Sequence, residues 1–302
     1  VGPLLVGDSS DGEPGAPDWT GTMWECVDMF RIGDDDAAGR DILIFSAWDD
    51  GVTHHPLYWS GRYEGDRFAP SALHRLDLGG RYFYAPQSMR DESGRRLLFG
   101  WLQEGRPDSA AVEAGWSGVM SLPRVVTAAP DGSIGQSPAP EVDALRAELL
   151  LDKAVVLDEE PEHITAGDQL DIELRLVLAD GAAATIAVRA TDDGAEQTLL
   201  RLRRTGRTAE LSLDRSRASL DAAVDADPRA GSVPVGGDGA IDVRILIDHS
   251  ALEVFAGGIP LTARVYPTRR DALGVWLSGD AARADVRAWA MAGAGRHGAP
   301  GA

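Results

Sequence analysis

Leu170-Asp171-Ile172-Glu173-Leu174-Arg175-Leu176-Val177-Leu178 decides the fold class. Apolar residues at 170, 172, 174, 176 and 178 alternate with Asp171, Glu173 and Arg175, a period of two that gives one buried and one wet face. Working outward, similar runs occur at 183–190, 198–204, 208–213, 241–247, 251–255, 262–266, 274–277 and 284–290. Many short strands with this patterning predict a β-sandwich. Residues 220–240, rich in Ala, Asp, Gly and Pro, read as a long surface loop.

Upstream the pattern changes. Short apolar runs occur at Asp41–Ser46, Pro56–Ser60, Arg81–Ala85 and Arg95–Trp101, with turn-type residues at Gly61, Gly65-Asp66, Gly79-Gly80 and Ser93-Gly94 between them. No 12-residue helical pattern is present, so this half is also all-β, as propeller blades or a second sandwich. Of the 19 aromatic residues, 15 precede residue 117, which marks two domains of different kinds. Pro138–Glu148 reads as a linker with one helical turn. The boundaries are a first domain at 1–146, a β-sandwich at 147–293 and a disordered tail at 294–302.

A formal charge of -19, from 48 acidic and 29 basic residues, argues against nucleic acid or an anionic membrane surface as partner. It fits a soluble protein acting on a neutral ligand. The single cysteine, Cys26, permits no internal disulfide and no Cys-based metal site. Asp34-Asp35-Asp36 lacks a complete calcium pattern and reads as a solvated turn, and His54-His55 as loop residues. No metal and no cofactor is called for. The chain starts at Val1 rather than Met, so cytoplasmic and secreted locations both stay open.

The candidate chemistry lies in Met23-Trp24-Glu25-Cys26-Val27-Asp28-Met29-Phe30. A carboxylic acid between a large aromatic and apolar neighbours is a candidate general acid, because desolvation disfavours the anion; a strand-start Glu on a wet edge is the structural alternative. Asp77 can accept charge-assisted hydrogen bonds from ligand hydroxyls or cap the turn before Gly79-Gly80. Tyr84 and Trp101 can wall a ligand pocket or pack between sheets, and Trp24 carries the same ambiguity. Asp248 and Glu253 lie among the sandwich strands and are assigned structural hydrogen bonds.

These segments resemble glycoside hydrolase family 32, the invertases, inulinases, levanases and related fructosyltransferases. Trp24-Glu25-Cys26-Val27-Asp28 is similar to the family's Glu-Cys-Pro motif, with Val27 at the usual Pro. Asp77–Gln87 is similar to its Asp-x-Gly…Phe-Tyr-Ala segment, with slightly different spacing, and Gly94–Trp101 to its Gly-Arg-Arg…Gly-Trp strand. Gly115–Gly118 with Ser121–Arg124, and Asp248–Phe255 late in the chain, continue the match in family order. The resemblance implies a five-bladed β-propeller followed by a C-terminal β-sandwich, and hydrolysis of β-fructofuranosides in sucrose or fructans with retention. It implies Glu25 as the acid/base, partnered by a carboxylate ~5–5.5 Å away that acts as nucleophile and helps keep the acid protonated. It also implies that Cys26 lines the pocket, with Trp24, Asp77, Tyr84 and Trp101 as substrate-binding residues.

One departure matters most. The family's nucleophile sits in a Trp-Met-Asn-Asp-Pro-Asn-Gly segment, and these residues contain no Asn at all; Arg270-Asp271 is followed by Ala272 rather than by the Pro of the Arg-Asp-Pro motif. The match begins just ahead of the acid/base motif, which predicts a C-terminal portion without the first blades, inactive by itself. Two classes of function follow: a β-fructofuranosidase-type hydrolase, or a non-catalytic carbohydrate-binding β protein or degenerate remnant.

Overall fold

The computed structural model describes residues 2–7, 12–14, 16–33 and 39–292. Asp34–Asp36 and the tail at 294–302 lie outside the described residues. The chain is all-β and divides into two compact units. The first contains residues 1–104, 117–139 and 259–262; the second contains 105–116, 140–258 and 263–302.

In the first unit, β1 (Met23–Ile32), β2 (Arg40–Asp49), β3 (Val52–Glu64) and β4 (Arg67–Arg75) form an antiparallel four-stranded meander in chain order. A second sheet runs β5 (Tyr84–Arg90), β6 (Arg96–Leu102), β8 (Arg124–Ala128), β9 (Ile134–Pro138), with the short β7 (Val119–Met120) on β6. Both sheets are blade-like, which gives this unit a propeller-like arrangement. Strand β2 is buried on both faces from Asp41 to Ala47, which explains why its sequence is an apolar run rather than an alternation. Gly65 and Asp66, both at positive φ, close the β3–β4 hairpin as a two-residue turn.

Two of the other turn signals have a different origin. Gly61 lies inside β3 at a bulge, where an added Cβ would come 2.3 Å from the Ala69 carbonyl oxygen. Gly79 precedes a short 3₁₀ turn at Gly80–Tyr82, and a Cβ there would come 1.7 Å from the Thr262 oxygen. These glycines permit close backbone approach rather than hairpins. His54 and His55 are not loop residues but lie on β3, where strand burial takes His55 out of water.

The second unit contains α1 (Asp108–Ala114), which is too short to give a helical sequence pattern. A 3₁₀ turn at Pro140–Leu145 fills the segment read as a linker. Its strands are β10 (Arg146–Leu157), β11 (Glu162–Ala166), β12 (Gln169–Leu178), β13 (Ala183–Ala190), β14 (Gln197–Thr205), β15 (Thr208–Arg217), β16 (Arg229–Pro234), β17 (Ala240–Asp248) and β18 (Ala251–Ala256). They continue with β20 (Gly274–Gly279) and β21 (Ala282–Met291), while β19 (Ile259–Arg264) contributes residues 259–262 to the first unit and 263–264 to the second. One antiparallel sheet includes β10-β21-β12-β17-β18; the other runs β11-β20-β13-β14-β15-β16. Inward rows such as Leu170, Ile172, Leu174 and Leu176, and Ile186, Leu200 and Leu211, are buried, the arrangement of a β-sandwich.

Two expectations need correction here. Residues 220–240 are not one loop, because Arg229–Pro234 pairs with β15. The face read as wet is dry at Asp171, which is fully buried: Arg146 Nε donates to it at 2.7 Å and Arg244 Nε at 2.9 Å. Arg146 in turn lies 3.8 Å over the Trp289 ring, so long basic side chains cover this part of the sheet.

Burial dominates the ionisation of His55, lowering its pKa from 6.5 to about 4; its ring Nε2 lies 2.8 Å from the Trp19 carbonyl oxygen. The unfolded state therefore binds the extra proton between these values. The stability contributed by the neutral ring is complete above pH 6.5 and is lost as pH falls toward 4, by roughly 3 kcal/mol. Urea midpoints between pH 7 and pH 4.5 will show this fall, and His55→Gln will flatten it.

Candidate active site

The site begins with two backbone irregularities that face each other. In β1 the register with β2 shifts between Glu25 and Asp28, and Cys26 takes φ 50. In β5 the register with β6 shifts between Tyr84 and Gln87, and Ala85 takes φ 49. Left-handed conformations at non-glycine residues are costly and persist only where the surroundings enforce them. Here the enforcement is visible. Gln87 Nε2 donates to the Cys26 carbonyl at 3.0 Å, and the Ala85 N–H donates to Ser46 Oγ at 3.1 Å. Asp28 accepts the Ser88 N–H at 2.9 Å and also its hydroxyl.

The two bulges bring Glu25 and Tyr84 together. The Tyr84 phenol is 2.9 Å from Glu25 Oε2 and 3.2 Å from the Ala47 carbonyl oxygen. Burial, and then the adjacent Glu25 carboxyl, push the Tyr84 hydroxyl far above its usual range, so it is a permanent donor. Glu25 itself is half-buried. Trp24 stacks on Phe45 with centroids 4.0 Å apart, and its indole N–H donates to the Thr20 carbonyl at 3.1 Å. Trp101 stands opposite Tyr84 on β6 and is 40% exposed, leaving part of its ring open to a ligand. Cys26 is an exposed residue, yet partial shielding of its sulfur, followed by the Glu25 carboxylate, raises its thiol above the ordinary value of 9.0.

Asp77 is not in this group, and its assignment to substrate binding is corrected. Its side chain is fully buried and paired with Arg124 Nη1 at 2.9 Å. Gly79 N–H at 2.7 Å, Thr262 N–H at 2.8 Å and the Thr262 hydroxyl at 2.6 Å complete its partners. Four protein donors occupy the carboxylate, leaving it none for a sugar. The turn-capping alternative accounts for the Gly79 bond. Ser46, Gln87 and Ser88 were missed as supports; Gln87 stands in the segment that carries Tyr84, but only the fold shows what it reaches.

Together the fold and site define an all-β chain in which Glu25 is a carboxyl positioned by Tyr84. The chain belongs to glycoside hydrolase family 32: residues 9–138 match the N-terminal domain of that family and residues 141–290 its C-terminal domain. A beta-fructofuranosidase 1 from Zea mays is 31% identical over 328 residues, covering 88% of this chain and 49% of the maize protein. A sucrose-6-phosphate hydrolase from Vibrio alginolyticus is 36% identical over 141 residues, covering 42% of this chain and 28% of that protein. Among solved structures, fructan 1-exohydrolase IIa from Cichorium intybus, crystallised with 1-kestose, aligns with a TM-score of 0.77 at 22% identity. That alignment covers 89% of this chain and 61% of the other. The chain spans about half the length of the curated maize relative.

Two measurements check this geometry. Alkylation of Cys26 by iodoacetamide will be slow at neutral pH and rise with pH, and Glu25→Gln will move the midpoint down by removing the carboxylate. Asp77→Ala, which removes the carboxylate that balances the buried Arg124 charge, will cost about 3–5 kcal/mol in urea denaturation. A loss below about 1 kcal/mol would show that the pair is not structural.

Proposed function

We propose that this chain carries the acid/base half of a β-fructofuranosidase site, acting on sucrose or fructans by retaining hydrolysis. The observation that supports it is the Glu25–Tyr84 contact, made by two opposed bulges in a family 32 chain. Glu25 protonates the glycosidic oxygen as the C–O bond breaks, and the carboxylate it becomes keeps the Tyr84 O–H as a donor. Such a bond steadies the anion and fixes the direction of its other oxygen. In the second half-reaction Glu25 takes a proton from water. Trp24, Cys26 and Trp101 border the approach, and Tyr84 acts through Glu25 as a positioning residue.

In family 32 the carboxylate nucleophile required ~5–5.5 Å away belongs to an Asn-Asp-Pro segment. No asparagine is present in these 302 residues. By themselves they therefore release no fructose, and catalysis takes a nucleophile supplied from outside them, within a five-bladed ring of which the two blade-like sheets are part.

Fructose release from sucrose and inulin tests this. The chain alone will match its Glu25→Gln variant. Joined to the upstream segment of a family relative it will gain activity, and Glu25→Gln will then cost about 10²–10⁴-fold. Tyr84→Phe will cost roughly 10- to 100-fold, mainly in kcat. Full activity in Glu25→Gln would refute the assignment.

A further inference from the structure

The outward face of the sandwich's second sheet holds a groove of about 470 Å³, a size usual for small-molecule sites. Its floor follows from register. Trp276 on β20 is opposite Ala187 on β13, and Ala187 is opposite Leu199 on β14. Neighbouring residues Val275, Leu277, Ile186 and Leu200 point inward and are buried, so these three point out. The half-buried indole, with the His163 ring edge-to-face against it at 4.8 Å, lies beside the buried Ala187 and forms an apolar step. Thr185 and Ser278, paired with each other across the same two strands, supply hydroxyls beside it.

The end wall is the Thr191–Glu196 turn, and it is held before any ligand arrives. Asp193 accepts the Thr191 hydroxyl at 2.6 Å, the Ala195 N–H at 3.0 Å and Arg269 Nη1 at 2.6 Å. Arg217 Nη1 donates to the Gly194 carbonyl at 3.1 Å. β13 carries a bulge between Ala187 and Ala190, just ahead of this wall in the chain. Preformed walls reduce the ordering cost of binding.

From this geometry we infer that the groove is a binding site for a neutral oligosaccharide, separate from Glu25. A sugar ring presents an apolar C–H face to Trp276 and hydroxyls to Thr185, Ser278 and Gln197. Glu160, Asp192 and Asp193 line the rim against Arg217, and the chain carries -19, so an anionic glycan is disfavoured. The site does not depend on the catalytic assignment; only inulin and levan as first probes rest on it.

Affinity electrophoresis of the full chain tests the inference, in gels containing inulin, levan, a β-glucan or polygalacturonate. Retardation by at least one neutral glycan is expected, weakened about tenfold or more by Trp276→Ala and by Leu199→Arg. Trp276→Phe will retain most of it, and Glu25→Gln all of it. Circular dichroism and thermal melting will confirm that the variants are folded. No retardation by any neutral glycan would overturn the proposal, as would equal retardation of folded Trp276→Ala or preference for polygalacturonate. Loss in Glu25→Gln with Trp276→Ala unaffected would assign binding to the Glu25 site instead.

Discussion

The first unit depends on a carboxylate that water never reaches. Asp77 is held by Arg124, Thr262 and Gly79, and Arg124 in turn lies 3.7 Å over the Phe83 ring and bonds Gln136 at 3.2 Å. Gln136 returns a bond to the Leu76 carbonyl at 2.7 Å. A buried charge is tolerable only when paired and fully hydrogen-bonded, so each partner fixes the others. The network ties the turn at Leu76–Gly80 to β8 and β9. Phe83 belongs to it, and the next residue is Tyr84. The site's phenol is therefore placed by an ion pair that has no chemistry of its own.

From Tyr84 the constraint passes to Glu25 through strain. Two non-glycine residues in left-handed conformations, Cys26 and Ala85, sit one on each strand, and Gln87 and Ser46 hold them there. A regular strand would send alternate side chains to opposite faces. The bulges break that alternation and let Glu25 and Tyr84 meet.

The sandwich uses its charge differently. Asp171 is buried on what would be a wet face because Arg146 and Arg244 lie over it. On the other sheet the outward face stays open at Trp276, bordered by a turn fixed through Asp193 and Arg269. One face is closed by long basic side chains and the other left as a rimmed step.

Local pattern by itself determined the strands. The alternation at Leu170–Leu178 and the apolar run at Asp41–Ser46 were legible because burial imposes a period of two or a continuous run. Glu25 was legible for its chemical type and neighbours, and the resemblance gave it a role. The strand at Arg229–Pro234 was hidden in a small-residue segment, since pairing rather than propensity makes it a strand. Asp77 has the same residue type whether it grips a sugar or an arginine, and only long-range packing against Arg124 and Thr262 decided between them. Tertiary structure alone could also show that Gly79 is a close-approach glycine, that His55 is buried and that Trp276, Ala187 and Leu199 form one surface. Each depends on which distant residues become neighbours, and a one-dimensional pattern carries no such distances.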